Sequence, residues 1–439
     1  MPKIRDLVEN ADAYREILKR KNAGPIIEKF DEGLKLYEQW KQRSIEMEDL
    51  RREVNSISKE FEKTRDKSLI EKSQEIKEKI KAGEQREKEL ADEVARMEVM
   101  LPNMIADGVP DGGEQDAQVI GYRGTPAVSE KDAAEFASIY PGAPSKTVSH
   151  EPFHHYNLVG RYIDQETAGK VSSSRFYYEF DELAILDLAL GMYTVEFFRN
   201  KGYSDKIMIT PYMMRKDVEE RITYFEAFQD TIFEVEKDNL LLIPSSEHSI
   251  IAYYEDSIMD EESLPLRILA WSPCFRREAG SHGKDTLGIF RVKQFHKVEL
   301  HSIVKEGEDF AELDRMAVDV CDFLDSLGLP NRSVMLAAGD MDKRALKQID
   351  IETWMPGQAR FRETHSIATV GTWVSEKLMI RYKTEKKKKI LTRNLYATAA
   401  AVQRTICAIA ENHYDPDAKC IRVPDALKKY TMGVETIPV

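Results

Sequence analysis

Between Phe275 and Glu299 the chain reads FRREAGSHGKDTLGIFRVKQFHKVE, which gathers arginines, a glycine-rich turn, an aromatic ring and a carboxylate in one short segment. Arg276 and Glu278, two residues apart on a strand, would present both side chains on one face, where a phosphate and its metal could sit. The stretch EAGSHGKDTLG has the glycines and aspartate of a hairpin turn, and RVKQFHKVE alternates as its return strand. On that strand Arg291, Lys293, Phe295, Lys297 and Glu299 share one face, and Val292, Gln294, His296 and Val298 the other. The first face suits a purine stacked on Phe295 and an ammonium held by Glu299. An exposed charged hairpin would carry the same residue types, so the elements around the segment have to decide.

A chain of 439 residues suits two or three domains. Its four cysteines are scattered without a C-x-x-C pair, which suggests neither a zinc knuckle nor a disulfide framework, and Cys274 reads as a packing residue. No apolar run approaches the roughly 18 residues of a membrane span, and the first residues lack the apolar stretch of a signal peptide. A cytoplasmic location is the expectation. A formal net charge of -13 argues against broad nonspecific nucleic-acid binding while leaving room for a local basic face.

From Ile27 the apolar residues Ile27, Phe30, Leu34, Tyr37, Met47, Leu50, Val54, Ile57 and Phe61 follow the steps of a coiled-coil seam. After a polar break at Thr64 to Ser68 the spacing resumes through Ile76, Ile80, Leu90, Val94, Met97 and Leu101, then stops at Pro102 and Asn103. Two such helices predict an antiparallel hairpin about 50 Å long. Its charges are dense and nearly balanced, as in a solvated spacer or dimerisation arm. Alternatively Arg51, Arg52, Lys59, Lys63, Arg65 and Lys67 near the tip would reach the phosphates of a large partner.

The Pro, Gly and Asp density of LPNMIADGVPDGGEQDAQ (101 to 118) marks a boundary, giving a helical arm over 1–108 and a second domain over 109–439. Beyond it, strand-like runs such as KIMIT, NLLLIP and RILAWSP mix with helical stretches without a strict βαβ rhythm, which predicts an α+β fold with a mainly antiparallel sheet. No phosphate-loop or dinucleotide glycine motif is present. The adjacent His154 and His155, on a strand, would point to opposite faces and so make an improbable metal site. The run KTEKKKKIL (383 to 391) reads as a solvated hairpin turn, with contact to a phosphate backbone as the alternative.

Four blocks stand in order: the helix from Phe180 with the strand ending at Pro211, LLLIPSSEHS (240 to 249), CFRREAGSHGKDTLGIFRV (274 to 292), and YATAAAVQRTICAIAENHY (396 to 414) after DIETWMPGQARFRETHS (350 to 366). Together they resemble the class II seryl-tRNA synthetases in their archaeal form, over the whole chain. The resemblance implies an antiparallel six- or seven-stranded catalytic domain with flanking helices, dimerising through the first block, and an N-terminal antiparallel coiled-coil arm that grips tRNA. It implies ATP and Mg2+ as cofactors and serine, a small amino acid, as substrate.

By the same resemblance Arg276 and Arg404 would be catalytic, on the α- and γ-phosphates. Glu278, Val292 and Phe295 would join them around ATP, while Glu363 and Ser366 would bind ATP and Mg2+. Ser245, Glu247, Glu299, Tyr396 and Thr398 would form the amino-acid site. Several positions depart from the family pattern. Ser245 stands where Thr is usual and Lys293 where His is usual. Tyr396 replaces an Asn, and Thr369, Val370, Thr372, Val374, Glu376 and Lys377 replace Asn, Cys, Asp, Gln, Arg and Arg. These changes are expected to crowd around the amino-acid pocket, because a pocket built to hydrogen-bond a hydroxyl is not indifferent to losing an Asn. A paralogue adenylating another small amino acid or using another acceptor, or a non-catalytic tRNA-binding scaffold, would also account for them.

Overall fold

The structure is a computed structural model that describes residues 2–224, 229–278, 285 and 287–439. The expected turn at Gly280 to Gly283 lies outside the described residues. The chain forms two compact units, Met1–Met104 and Ile105–Val439.

In the first unit α1 (Ile26–Thr64) and α2 (Ser68–Val99) form the antiparallel coiled coil. Arg65, in the left-handed region at φ 56°, ends α1, and Asp66 accepts a hydrogen bond from the Ser68 amide at 2.9 Å as α2 begins. The seam buries Phe30, Met47, Ile57, Ile76, Leu90 and Val94. At its base Ile26 rather than Ile27 turns fully inward, because it joins Ile4, Leu7, Tyr14 and Leu18 of the preceding short helices in one cluster. Gly33 and Gly83 also lie in the seam. A Cβ on Gly83 would fall 2.3 Å from Met47 Sδ, so the glycine makes room for a large side chain of the facing helix.

The second unit is built on an eight-stranded sheet. Its strands are β1 (Gln118–Arg123), β2 (Lys206–Ile209), β3 (Leu266–Phe275), β4 (Gln294–Val304), β5 (Asn331–Met335), β6 (Lys347–Met355), β7 (Arg360–Gly371) and β8 (Arg393–Ala401), in the order β1-β5-β6-β7-β8-β4-β3-β2. All neighbours are antiparallel except β3 and β2. The sheet is larger than the six or seven strands expected. One edge strand, β1, begins inside the segment whose linker-like composition hid it.

Side-chain alternation gives the sheet two chemistries. Val298 and Leu300 of β4 and Leu395, Ala397 and Ala399 of β8 join a core shared with α3 (Asp181–Asn200), α4 (Asp309–Ser326) and α5 (Val402–Asn412). Lys297, Tyr396 and Thr398, one residue out of phase with them, line a cleft on the other face. β8 passes directly into α5 at Ala401, with no loop between them.

Candidate active site

One end of the cleft is built for phosphate and an aromatic base. Arg276 follows the last residue of β3, and its guanidinium carbon lies 5.3 Å from the centre of the Phe295 ring while Nε donates to Pro244 O at 3.3 Å. Arg404, in the first turn of α5, donates to Glu363 O at 3.0 Å and pairs with Glu363 Oε1 at 3.2 Å. Its guanidinium carbon and that of Arg362 lie 5.1 and 4.3 Å from the ring centre of Phe290, which thereby joins two cations at the cleft wall. Arg276, Glu278, Phe290, Val292, Phe295 and Arg404 share a cavity of about 70 Å³.

The local geometry departs from the expected hairpin. Glu278 lies beyond the strand in a left-handed conformation at φ 52° and forms an ion pair with Arg291, so it does not simply repeat the face of Arg276. The return strand begins at Gln294, and the alternation assumed for 291 to 293 therefore fails. Val292 lines the cavity with Phe295, whereas Lys293 leaves the cleft and donates to Ser173 Oγ at 3.1 Å.

The other end is a cavity of about 350 Å³ where Ser245, Glu247, Lys297, Ser366, Tyr396 and Thr398 converge with Arg276 and Glu363. Ser245 caps a short helix, Ser246–Ala252, through its hydroxyl and the Glu247 amide, which fixes Glu247 in that helix's first turn. Glu299 is fully buried beneath. Its Oε2 meets Lys297 Nζ at 2.5 Å and accepts from Ser245 Oγ at 3.1 Å, while Oε1 is buried without a hydrogen-bond partner among the described residues. Burial pushes the Glu299 carboxyl up; Lys297 opposes this and the charge of Glu247 reinforces it, leaving the group at about 7. Glu247 is buried too, but Arg344 at 3.1 Å and the nearby His248 hold it below the usual carboxylate range.

Arg344, Asp342 and Phe290 were not singled out from sequence. The first two come from the irregular segment between β5 and β6, within GDMDKRAL (339 to 346). Of the altered positions, Ser245 and Tyr396 line the cavity, but Thr369, Val370, Thr372, Val374, Glu376 and Lys377 do not. They sit on the end of β7 and the helix Trp373–Leu378, where Thr369 donates to Asp309 at 3.1 Å and Val370 and Val374 are buried. The expected crowding of changes around the pocket is thus confined to Ser245 and Tyr396.

His154 and His155 do not occupy a strand. They open a short helix, with ring centres 4.1 Å apart, and with Glu411 they form a cluster of metal-ligand types. Glu411, however, accepts from His155 N and Nδ1 at 3.0 and 2.8 Å, Gly357 N at 2.9 Å and Gln358 Nε2 at 3.0 Å, so it acts as a structural clamp. Lys386 to Lys388 form the exposed turn of a hairpin between Arg381–Lys383 and Lys389–Leu391. Among the described residues, no helix is long and apolar enough to cross a membrane.

An antiparallel sheet carrying one arginine past a strand end and a second on the helix that follows the central strand is the framework of a class II aminoacyl-tRNA synthetase. Residues 231–413 match the family described as the tRNA synthetase class II core domain (G, H, P, S and T), and residues 1–105 match the seryl-tRNA synthetase N-terminal domain. The chain is 37% identical to the serine-tRNA ligase of Pyrococcus abyssi over 99% of its own length and 97% of the relative's. Its structure is similar to the seryl-tRNA synthetase of Pyrococcus horikoshii complexed with ATP, at a TM-score of 0.95 and 36% identity over 100% of both chains. It is also similar to the cytoplasmic serine-tRNA ligase of Naegleria fowleri in complex with AMP, at 0.83 and 26%, over 98% and 96% of the two chains. The chain belongs to the seryl-tRNA synthetase family.

Proposed function

We propose that this chain is an ATP-dependent serine-tRNA ligase, which activates serine as seryl-adenylate and transfers the seryl group to tRNA(Ser). The observation that supports the reading is a pair of cavities that share Arg276, Lys297, Glu363 and Thr398, one lined by Arg276 and Arg404 and the other by Glu247, with Glu299 buried beneath. Relatives named serine-tRNA ligase that match nearly the whole chain disfavour both a paralogue of other specificity and a non-catalytic scaffold.

In this reading Phe295 stacks the adenine, Val292 packs against the nucleotide and Glu278 borders it. Glu247 and Glu299 hold the serine ammonium, while Ser245 and Thr398 supply hydroxyls and Tyr396 bounds the side-chain end. The serine carboxylate attacks the α-phosphorus and pyrophosphate leaves. Arg276 stabilises charge on the α-phosphate and Arg404 on the γ-phosphate, so the enzyme works by positioning and electrostatics rather than proton transfer. The seryl group then passes to a hydroxyl of the tRNA's terminal adenosine, with AMP as leaving group.

Mg2+ fits the donor set beside the phosphate end. Glu363 offers a carboxylate and Ser366 a hydroxyl, and beside them burial, together with the charge of Glu363, pushes the Asp350 carboxyl well up. Bound there, the ion would neutralise phosphate charge.

The arm reaches tRNA through Lys59, Lys63, Arg65 and Lys67, which are exposed and, among the described residues, free of ion pairs. Arg51 and Arg52 are already paired, to Glu84 at 3.0 Å and Glu48 at 2.6 Å. Homodimerisation uses α3 and the edge strand β2, where Leu188, Met192, Ile207 and Ile209 are exposed. The enzyme works in the cytoplasm. Amino-acid-dependent exchange of pyrophosphate into ATP tests the activity: exchange with serine is expected, and exchange with another amino acid alone, or with none, overturns it.

A further inference from the structure

Four side chains form a chain across the floor of the amino-acid end. Tyr396 donates from its hydroxyl to Asp342 Oδ2 at 2.9 Å. Asp342 holds Arg344 through Nε at 3.0 Å and Nη2 at 2.6 Å, and the guanidinium carbon lies 5.4 Å from the Tyr396 ring centre. Nη1 of Arg344 then reaches Glu247 Oε1 at 3.1 Å and Ile222 O at 3.2 Å. The loop is itself pinned: Asp342 Oδ1 accepts from the Arg344 amide at 2.8 Å, and Gln348 Oε1 accepts from the Asp342 amide at 2.8 Å.

Arg344 is buried, so it is a fixed part of the pocket and not a surface charge that happens to reach inward. A buried carboxylate lacking a cation takes up a proton and no longer binds an ammonium well. Lys297 is engaged with Glu299 at 2.5 Å, and of the two other cations facing Glu247, Arg344 at 3.1 Å stands nearer than His248 Nε2 at 3.9 Å. When ionised, Glu247, Glu299 and Asp342 set three negative charges against the two positive charges of Lys297 and Arg344. The remaining single negative charge matches one substrate ammonium. Planar guanidinium over a phenol ring also closes the floor with rigid groups.

We propose that Arg344, held against Tyr396 by Asp342, is a positioning and specificity-determining residue of the amino-acid site: it orients Glu247 as a carboxylate and limits the side chain that can enter. The inference rests on the assignment of Glu247 to the substrate ammonium. The charged and titratable groups facing Glu247 are Arg344 and Asp342 from the loop, His248 from its own helix, Lys297, Glu299 and His301 from β4, and Tyr396 from β8.

The test uses the full-length protein and the variants Arg344→Gln, Arg344→Lys and Tyr396→Phe, with KM for serine and for ATP read from pyrophosphate exchange. Arg344→Gln is expected to raise KM for serine about tenfold or more while KM for ATP moves by less than about twofold; Arg344→Lys restores part of the loss, and Tyr396→Phe has a smaller effect. An unchanged KM for serine, or parallel losses for both substrates, overturns the proposal. Carbon NMR of the Glu247 carboxyl, assigned with Glu247→Gln, separates this inference from the functional reading. If the native protein shows no serine-dependent exchange, that reading fails, and the titration still decides the role of Arg344. A midpoint that rises in Arg344→Gln supports it; one that stays in place overturns it.

Discussion

Lys297 Nζ lies 2.5 Å from Glu299 Oε2, two residues apart on one face of β4, and both side chains are buried. The pair sets the state of a fully enclosed carboxylate: burial and Glu247 favour its protonated form, and Lys297 brings it back to about 7. Lys297→Met is therefore expected to push the Glu299 carboxyl higher. Serine-dependent kcat/KM, followed against pH, should show its acid limb displaced to higher pH. An unmoved limb would detach Glu299 from substrate binding.

The same carboxyl has a signature in stability. Its folded-state value is raised, so the native protein holds the proton more tightly than the unfolded chain. The resulting stabilisation is complete below the ordinary carboxylate range, near pH 4.5, and is lost as pH rises through about 7. Relative to the native protein, Glu299→Gln should gain a few kcal/mol of stability between pH 5 and 8. Urea unfolding at several pH values measures it, and a difference constant with pH contradicts the assignment.

At the phosphate end, Arg276→Ala should lower kcat for exchange by about 10²-fold or more, the scale of losing one preorganised charge donor at a reacting centre. Glu363→Gln should instead raise the Mg2+ concentration needed for half-maximal exchange. Titrating Mg2+ against each variant distinguishes the roles, and a normal Mg2+ requirement in Glu363→Gln removes that residue from the metal site.

In the arm, Gly83→Val would drive a branched side chain into Met47, costing about 1 to 3 kcal/mol by overpacking. tRNA affinity, measured by filter binding, should fall while serine-dependent exchange without tRNA stays at the native level. Loss of both would show that the substitution disturbs more than the arm.

The exposed apolar side chains of α3 and β2 supply a test of assembly. Met192→Glu combined with Ile209→Lys should convert a dimer into a monomer in sedimentation equilibrium, because each places a charge at a position that is over half exposed in the single chain. A native protein that sediments as a monomer rejects the interface outright.

The arm and the motif residues were legible in the sequence because their signals are local. A heptad seam declares its inward face residue by residue; Arg276 and Glu299 fall in one string dense in charge, and Arg404 was reached through the resemblance of AVQRTICAIAENH to a family motif. Lys293 was misplaced because strand alternation was extended three residues beyond where β4 begins. Asp342 and Arg344 were invisible because their meaning is tertiary: in an aperiodic loop nothing marks a guanidinium that will be buried against Glu247 and Tyr396. The substitutions at Thr369 to Lys377 misled for the opposite reason, since distance along the chain says nothing of distance from a cavity. Ile26 displaced Ile27 because a second group of short helices, absent from any heptad, packs on the first turn of α1.

The uninterrupted passage from β8 into α5 sets a limit on how this active site can change. Tyr396 and Thr398 at the amino-acid end and Arg404 at the phosphate end lie within nine consecutive residues of unbroken regular backbone. The covalent chain thus works as a ruler between the two substrates. Deleting one residue before Ala401 would turn Thr398 to the wrong face, and one within the helix's first turn would swing Arg404 by about 100°. New amino-acid preferences along this segment can therefore arise by exchanging side chains, and not by altering its length.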